Sequence, residues 1–139
     1  MKILSIQKKV IRMMTGLKKG ESCKQKFKEL RILTVTSLHV LEVLCYIKKY
    51  KGSISVNSEI HDHNTRRKTD LHIQSCRKSS FQKIVINTGI KLFNHLPSEL
   101  KQPHGFKLFR KKLKFLQLNK ALCTLNEYFD IIIDKLLVK

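Results

Sequence analysis

Residues 106–118 read Phe106-Lys107-Leu108-Phe109-Arg110-Lys111-Lys112-Leu113-Lys114-Phe115-Leu116-Gln117-Leu118. Phe106, Phe109, Leu113 and Leu116 recur at steps of three and four, which gathers them on one side of an α-helix. Lys107, Arg110, Lys111, Lys112 and Lys114 form its other face. This is a strong amphipathic pattern, and it makes the fold helical.

The same period recurs on either side of a polar interval. Ile3, Ile6, Val10, Met13 and Leu17 form an amphipathic stripe with Lys8, Lys9 and Arg12 off it, and Gly16 and Gly20 bracket its end. Glu21 to Arg31 predicts a short helix with Phe27 and Leu30 inward. Ser37 or Thr36 is suited to cap a third helix, with Leu38, Leu41, Leu44 and Cys45 facing the core, and that helix runs out at Lys48-Lys49-Tyr50-Lys51-Gly52. Beyond Val85 to His95, Leu96-Pro97 stops the chain and Ser98 can cap one short turn. The last helix, Leu125 to Leu137, turns Tyr128/Phe129, Ile132/Ile133 and Leu136/Leu137 inward.

Between these parts, Gly52 to Lys83 has no sustained helical period, and only Leu71-His72-Ile73 suggests a short extended piece. A loop of that length in a compact domain is functional or disordered. The expected fold is mostly α, a small irregular helical domain of about five to six helices with a long polar loop in the middle. Residues 1–51 form a basic helical lobe, 52–84 a polar basic loop segment and 85–139 a second helical lobe, together one domain.

The 139 residues fit one compact domain rather than a two-domain enzyme. Twenty-nine Lys and Arg against ten Asp and Glu give a formal charge of +19, and the isoelectric point is about 10.1. Such an excess attracts polyanions, nucleic acid first and anionic membrane second. The charge is uneven: +10 over residues 1–51, +3 over 52–84, +7 over 85–120 and −1 over 121–139. A 42% apolar composition separates the chain from a disordered basic tail. The longest apolar candidate for a membrane span, Val35 to Ile47, is broken by His39 and Glu42 and falls short of the roughly 20 residues a crossing needs. Lys8 and Lys9 leave no room for the apolar part of a signal peptide, and no Asn-x-Ser/Thr site is present. The expected location is intracellular, nuclear or cytoplasmic, and not secreted. Cys23, Cys45, Cys76 and Cys123 are then expected as reduced thiols.

Several stretches together resemble a known family. Leu4-Ser5-Ile6-Gln7-Lys8-Lys9-Val10-Ile11-Arg12 and Phe27-Lys28-Glu29-Leu30-Arg31-Ile32-Leu33-Thr34, with Ser37-Leu38 just after, come first. Asn64-Thr65-Arg66-Arg67-Lys68 with Asp70-Leu71-His72 is the most distinctive. Gly89-Ile90-Lys91-Leu92-Phe93-Asn94 with Leu96-Pro97-x-Glu99 follows, and Phe106-Lys107 and Leu125-Asn126-Glu127-Tyr128 close the series. In this order they resemble the region after the polymerase core in reverse transcriptases of animal non-LTR (LINE-type) retrotransposons. The resemblance covers residues 4 to 129 and the C-terminal tail alone. Met1 falls inside what would be continuous family sequence, so the chain is expected to be a truncated remnant or partial gene model.

The complete family proteins carry a Tyr/Phe-Ala-Asp-Asp signature and a further Asp that hold two magnesium ions. Here Asp occurs only at 62, 70, 130 and 134, with no adjacent pair, so no polymerase activity is expected of the chain alone. The resemblance implies an upstream polymerase domain as partner in a full-length parent, and a role in gripping template RNA or target DNA during target-primed reverse transcription.

The candidate binding residues follow from charge and type. Arg66, Arg67, Lys68, Arg77 and Lys78 can clamp phosphates, because Arg forks match phosphate oxygens. Lys107, Arg110, Lys111, Lys112 and Lys114 can follow a nucleic-acid backbone; Arg110-Lys111-Lys112-Leu113-Lys114 also reads as a nuclear import signal, and the helix as one for an anionic membrane or a calmodulin-like groove. The expected partner is RNA or DNA, met through its phosphates, with no small-molecule substrate. His61-x-His63, His72 and Cys76 include zinc ligand types, but the Cys-x-x-Cys opening of the knuckle that ends some LINE-type polymerases is missing, so no metal and no other cofactor is expected. Glu127, Asp130 and Asp134 share a helix face and are expected to dock on the basic lobes or meet solvent. The alternative to a binding fragment is a non-functional transposon remnant or a domesticated protein-interaction module.

Overall fold

The computed structural model describes residues 2–75, 77–78, 80, 85–102 and 105–137, the last six of these as helix only. It is mostly helical, with no strand among the described residues. In chain order the helices are α1 (Lys2–Thr15), α2 (Lys24–Glu29), α3 (Val35–Tyr50), α4 (Asn57–Ile60), α5 (Val85–Asn94), α6 (Ser98–Lys101), α7 (Phe106–Lys120) and α8 (Leu125–Leu137).

The apolar run that was too short for a membrane is the centre of this fold. α3 packs against both α5 and α7, and Val40, Leu41, Val43, Leu44, Cys45 and Ile47 are all buried in it. A helix apolar on most sides must be covered on most sides. Gly89 lets α5 come close: a Cβ there would lie 2.7 Å from Ile47 Cγ1 and 2.9 Å from Val43 Cγ1. The core continues through Leu92, Phe93, Leu96, Phe109, Leu113, Leu122 and Tyr128, and so draws on both basic stretches at once.

The cap of α3 is Thr34, whose hydroxyl accepts from the Ser37 N–H, rather than Thr36 or Ser37. Those two residues bind the turn between α7 and α8 instead. Thr36 Oγ1 donates to Cys123 O at 3.1 Å, Ser37 Oγ accepts from Leu122 N at 3.0 Å, and Thr34 Oγ1 donates to Leu122 O. Ala121, at φ 47°, makes the left-handed bend that presents these groups. Leu38 faces solvent, because the first turn of α3 gives its inner side to this polar clasp.

α2 is shorter than the sequence suggests, and its end explains why. Arg31 takes a left-handed φ of 52°. Its N–H reaches Lys28 O at 3.1 Å, and the N–H of Ile32 reaches Phe27 O at 3.0 Å. This is the double closure of a Schellman motif, with Arg31 where glycine is usual. Its apolar contact is made by Ile32 on Phe27, which leaves Leu30 exposed.

α1 departs most from its expected orientation. Ile3, Ile6, Val10 and Met13 are 61%, 62%, 48% and 82% exposed, whereas Leu4 and Ile11 are the residues it buries. The helix is rotated by about a third of a turn from the stripe-inward placement. Gln7 fixes the rotation: its carboxamide donates to Leu33 O at 2.8 Å and accepts from Val35 N at 3.0 Å. That bond satisfies one of the orphan N–H groups at the start of α3.

α6 starts from Pro97 with no side-chain cap, so Ser98 does not serve as one. Phe106 is exposed rather than inward, while Phe109 and Leu113 are fully buried. In α8, Tyr128 is buried and its hydroxyl donates to Leu92 O at 3.0 Å; the side chains expected inward at 132, 133, 136 and 137 lie outside the described residues. Glu127 pairs with Lys24 of α2 at 2.8 Å, so this member of the acidic face docks on basic sequence, whereas Asp130 is exposed. Among the described residues no helix is long and apolar enough to cross a membrane.

Candidate nucleic-acid interface

The polar middle is folded over residues 52–75 as an excursion that returns to the domain. Val56 and Leu71 form one antiparallel bridge, and the His72 N–H donates to Ser55 O at 2.8 Å. Leu71 is buried. Two carboxamides hold the segment by acting as spare peptide groups. Asn94 accepts from Leu71 N at 3.0 Å and donates to Leu71 O at 2.9 Å. Asn57 donates to Arg67 O at 2.9 Å, and its oxygen lies 3.2 Å from His72 Nδ1.

This clipping opens a cleft of about 1030 Å³ between the excursion and the ends of α5 and α6. Arg67, Lys91 and Lys101 bring positive charge to it, and His61, His63, His72 and His95 line it as well. Asp70 and Glu99 are its acids, and Asp70 lies 3.6 Å from Lys101. Arg66, Arg67 and Lys68 are exposed at the tip of the excursion. Their main chain is fixed: Arg67 O also receives Asp70 N, and Lys68 O receives Ser58 N at 2.9 Å. The side chains are therefore presented from a tied turn and not from a slack loop. Arg77 and Lys78 are exposed, and Cys76 lies outside the described residues.

The second candidate group lies on α7. With Phe109, Leu113 and Gln117 buried, helical geometry places Lys107 and Lys111 on the opposite side and Lys114 at its flank, and all three are exposed. α7 contains no acidic residue. Lys112 is exposed and has an interaction partner of its own. Arg110 is already engaged: its Nη1 and Nη2 meet Glu42 Oε2 and Oε1 at 3.1 and 2.6 Å. The hydrogen bond from Arg110 holds the Glu42 carboxyl below the usual carboxylate range, and the same bond raises the guanidinium further. Arg110 thus belongs to a fork-to-fork ion pair, with which a phosphate would have to compete.

Lys91 and Lys101 of the cleft carry no signal in the sequence, because they stand singly among apolar and polar neighbours. Lys48, from the basic end of α3, donates to Gln102 O at 3.2 Å and lies 5.2 Å from the Phe109 ring centre. Burial, with Lys51 nearby, lowers its pKa. The rings of His61 and His72 are 5.6 Å apart, but among the described residues no group of three or more His, Cys, Asp or Glu could hold a metal ion. Cys23, Cys45 and Cys123 are free thiols, and burial pushes the Cys45 thiol up.

The stretches that carry the sequence resemblance mostly have structural work here. Asn94, Leu71 and Asp70 close the clip, Gly89 allows the α3–α5 contact, and Phe27 and Leu96 are core. Comparison with protein-family models, with curated proteins and with solved structures finds no match.

Proposed function

We propose that the chain binds RNA or DNA through its phosphates with little sequence preference, as a fragment like the C-terminal tail of a LINE-type reverse transcriptase, and that it has no polymerase activity alone. The observation that carries the binding reading is the outer face of α7. It presents Lys107, Lys111 and Lys114 on a helix without a single acid, in a chain of charge +19. A rigid row of cations releases condensed counterions on binding, which makes affinity steeply salt-dependent. With six to ten phosphates contacted, affinity falls about 10³–10⁵-fold between 50 and 200 mM salt. A flat salt response in a titration against RNA defeats this mechanism. Replacing Arg66, Arg67 and Lys68 together by Ala weakens binding to all sequences about equally; a loss confined to one sequence means base readout.

The family part of the proposal rests on the ordered stretches of the resemblance, and its test is genomic. An open frame continuing upstream of the Met1 codon into a Tyr/Phe-Ala-Asp-Asp core supports it, and an unrelated flank removes it. A second reading, a protein-interaction module, is favoured by the apolar outer face of α1. It predicts weak, unsaturable association with RNA.

A further inference from the structure

We propose that α7 selects single-stranded over double-stranded nucleic acid by stacking an unpaired base on Phe115; this rests on the nucleic-acid reading above and narrows its ligand. Phe115 is 65% exposed, more than any other exposed Phe or Tyr ring among the described residues. It cannot be a misplaced core residue, since α7 already gives Phe109 and Leu113 to the core. Helical geometry places Lys111 one turn before Phe115 and Leu108 two turns back, on the same side, with Lys114 about 100° further round the helix. Both lysines are exposed, and Leu108 is 45% exposed.

The row from Lys107 to Lys114 rises about 10 Å, enough to meet successive phosphates of one strand. Phe115 stands at its edge, where a base projecting from that strand would lie. Stacking needs a base with a free face, which a duplex buries between its neighbours. A groove-forming protein partner fits less well, because the residues it would take, Phe109 and Leu113, are buried. A bilayer fits less well too: Phe115 and Leu108 are two apolar groups among lysines, not a continuous stripe.

The test measures binding of the full chain to an unstructured oligouridylate and to an RNA duplex of equal length. Circular dichroism first checks that each variant folds as the parent does. Phe115→Ala is expected to weaken single-strand binding by about 5- to 150-fold, the range for loss of one stacked base, with duplex binding and the salt slope unchanged. Phe115→Tyr restores the affinity and Phe115→Leu does not. Lys107→Gln with Lys111→Gln and Lys114→Gln lowers the salt slope by about two to three on both ligands. If Phe115→Ala binds the single strand as the parent does while the lysine variant loses its slope, stacking is overturned and backbone binding stands. Equal losses by Phe115→Ala on both ligands, or equal affinity of Phe115→Leu and Phe115→Tyr, also overturn it. Salt-independent binding by the parent overturns both readings.

Discussion

α1 and α7 are both basic, amphipathic and free of acidic residues, yet they turn their apolar stripes in opposite directions. α7 inserts Phe109 and Leu113 beside α3 and leaves Lys107, Lys111 and Lys114 exposed. α1 buries Leu4 and Ile11 and leaves Ile3, Ile6, Val10 and Met13 outside. A periodic stripe establishes that a helix has two faces. Which face goes inward is decided by what stands opposite. For α7 that is the apolar flank of α3. For α1 it is the small cluster of Cys23, Phe27 and Ala121, which takes Ile11, together with the start of α3, which Gln7 meets with two hydrogen bonds.

This contrast is most directly broken by truncation. Phe109→Ala should cost about 3–5 kcal/mol and Leu113→Ala about 2–5 kcal/mol, because both leave cavities in a packed core. Ile6→Ala and Met13→Ala should stay within about 0.5 kcal/mol, the range of exposed positions. Urea midpoints for the four variants settle it. Equal costs on the two helices would mean that the outer face of α1 is covered in solution.

The carboxamide clips give the next largest effect. Gln7→Ala and Asn94→Ala should each cost about 1–3 kcal/mol, since each strands paired main-chain groups. They should differ in place. Hydrogen exchange should rise near Leu33 and Val35 for Gln7→Ala, and around Leu71 for Asn94→Ala, where the cleft also loses its wall. A uniform rise in both variants would mean that the clips act through global stability only.

The smallest effect concerns Glu42 and Arg110. The Glu42 carboxyl is held below its ordinary range by Arg110, so the pair's contribution is present above about pH 4.3, the unfolded carboxylate value. It is lost as pH falls through the lowered folded value. Both side chains are half-exposed, at 43% and 51%, so solvent screening leaves about 0–1 kcal/mol. Glu42→Gln should lower stability by that share at neutral pH and leave it unchanged in acid, where the carboxyl is protonated in the parent as well. It should also release Arg110 and raise RNA affinity at low salt. Unchanged affinity would mean that Arg110 stands outside the contact surface.

Much of the fold was legible because helical signals are local. Phe27, Leu41, Leu44, Phe109, Leu113 and Tyr128 are buried as their spacing predicts. The errors have a common source. Leu30, Leu38 and Phe106 obey the period and face solvent, because a Schellman closure, a polar clasp and a helix start took the inner places. Of the candidate cations, the α7 row was legible for the same local reason, and the engagement of Arg110 was not, since Glu42 lies 68 residues away.

The chain's composition and periodicity alone determine that it is helical, strongly basic, and equipped with a lysine face on α7. Charge is a sum over residues, and helical spacing needs only neighbours within two turns. Tertiary structure alone decided the rotation of α1, the folding of the polar middle into a clipped excursion, and the cleft that gathers Arg67, Lys91 and Lys101. Those features rest on single polar side chains bonding to distant main chain. Such a bond leaves no periodic trace in sequence, because one carboxamide suffices for it.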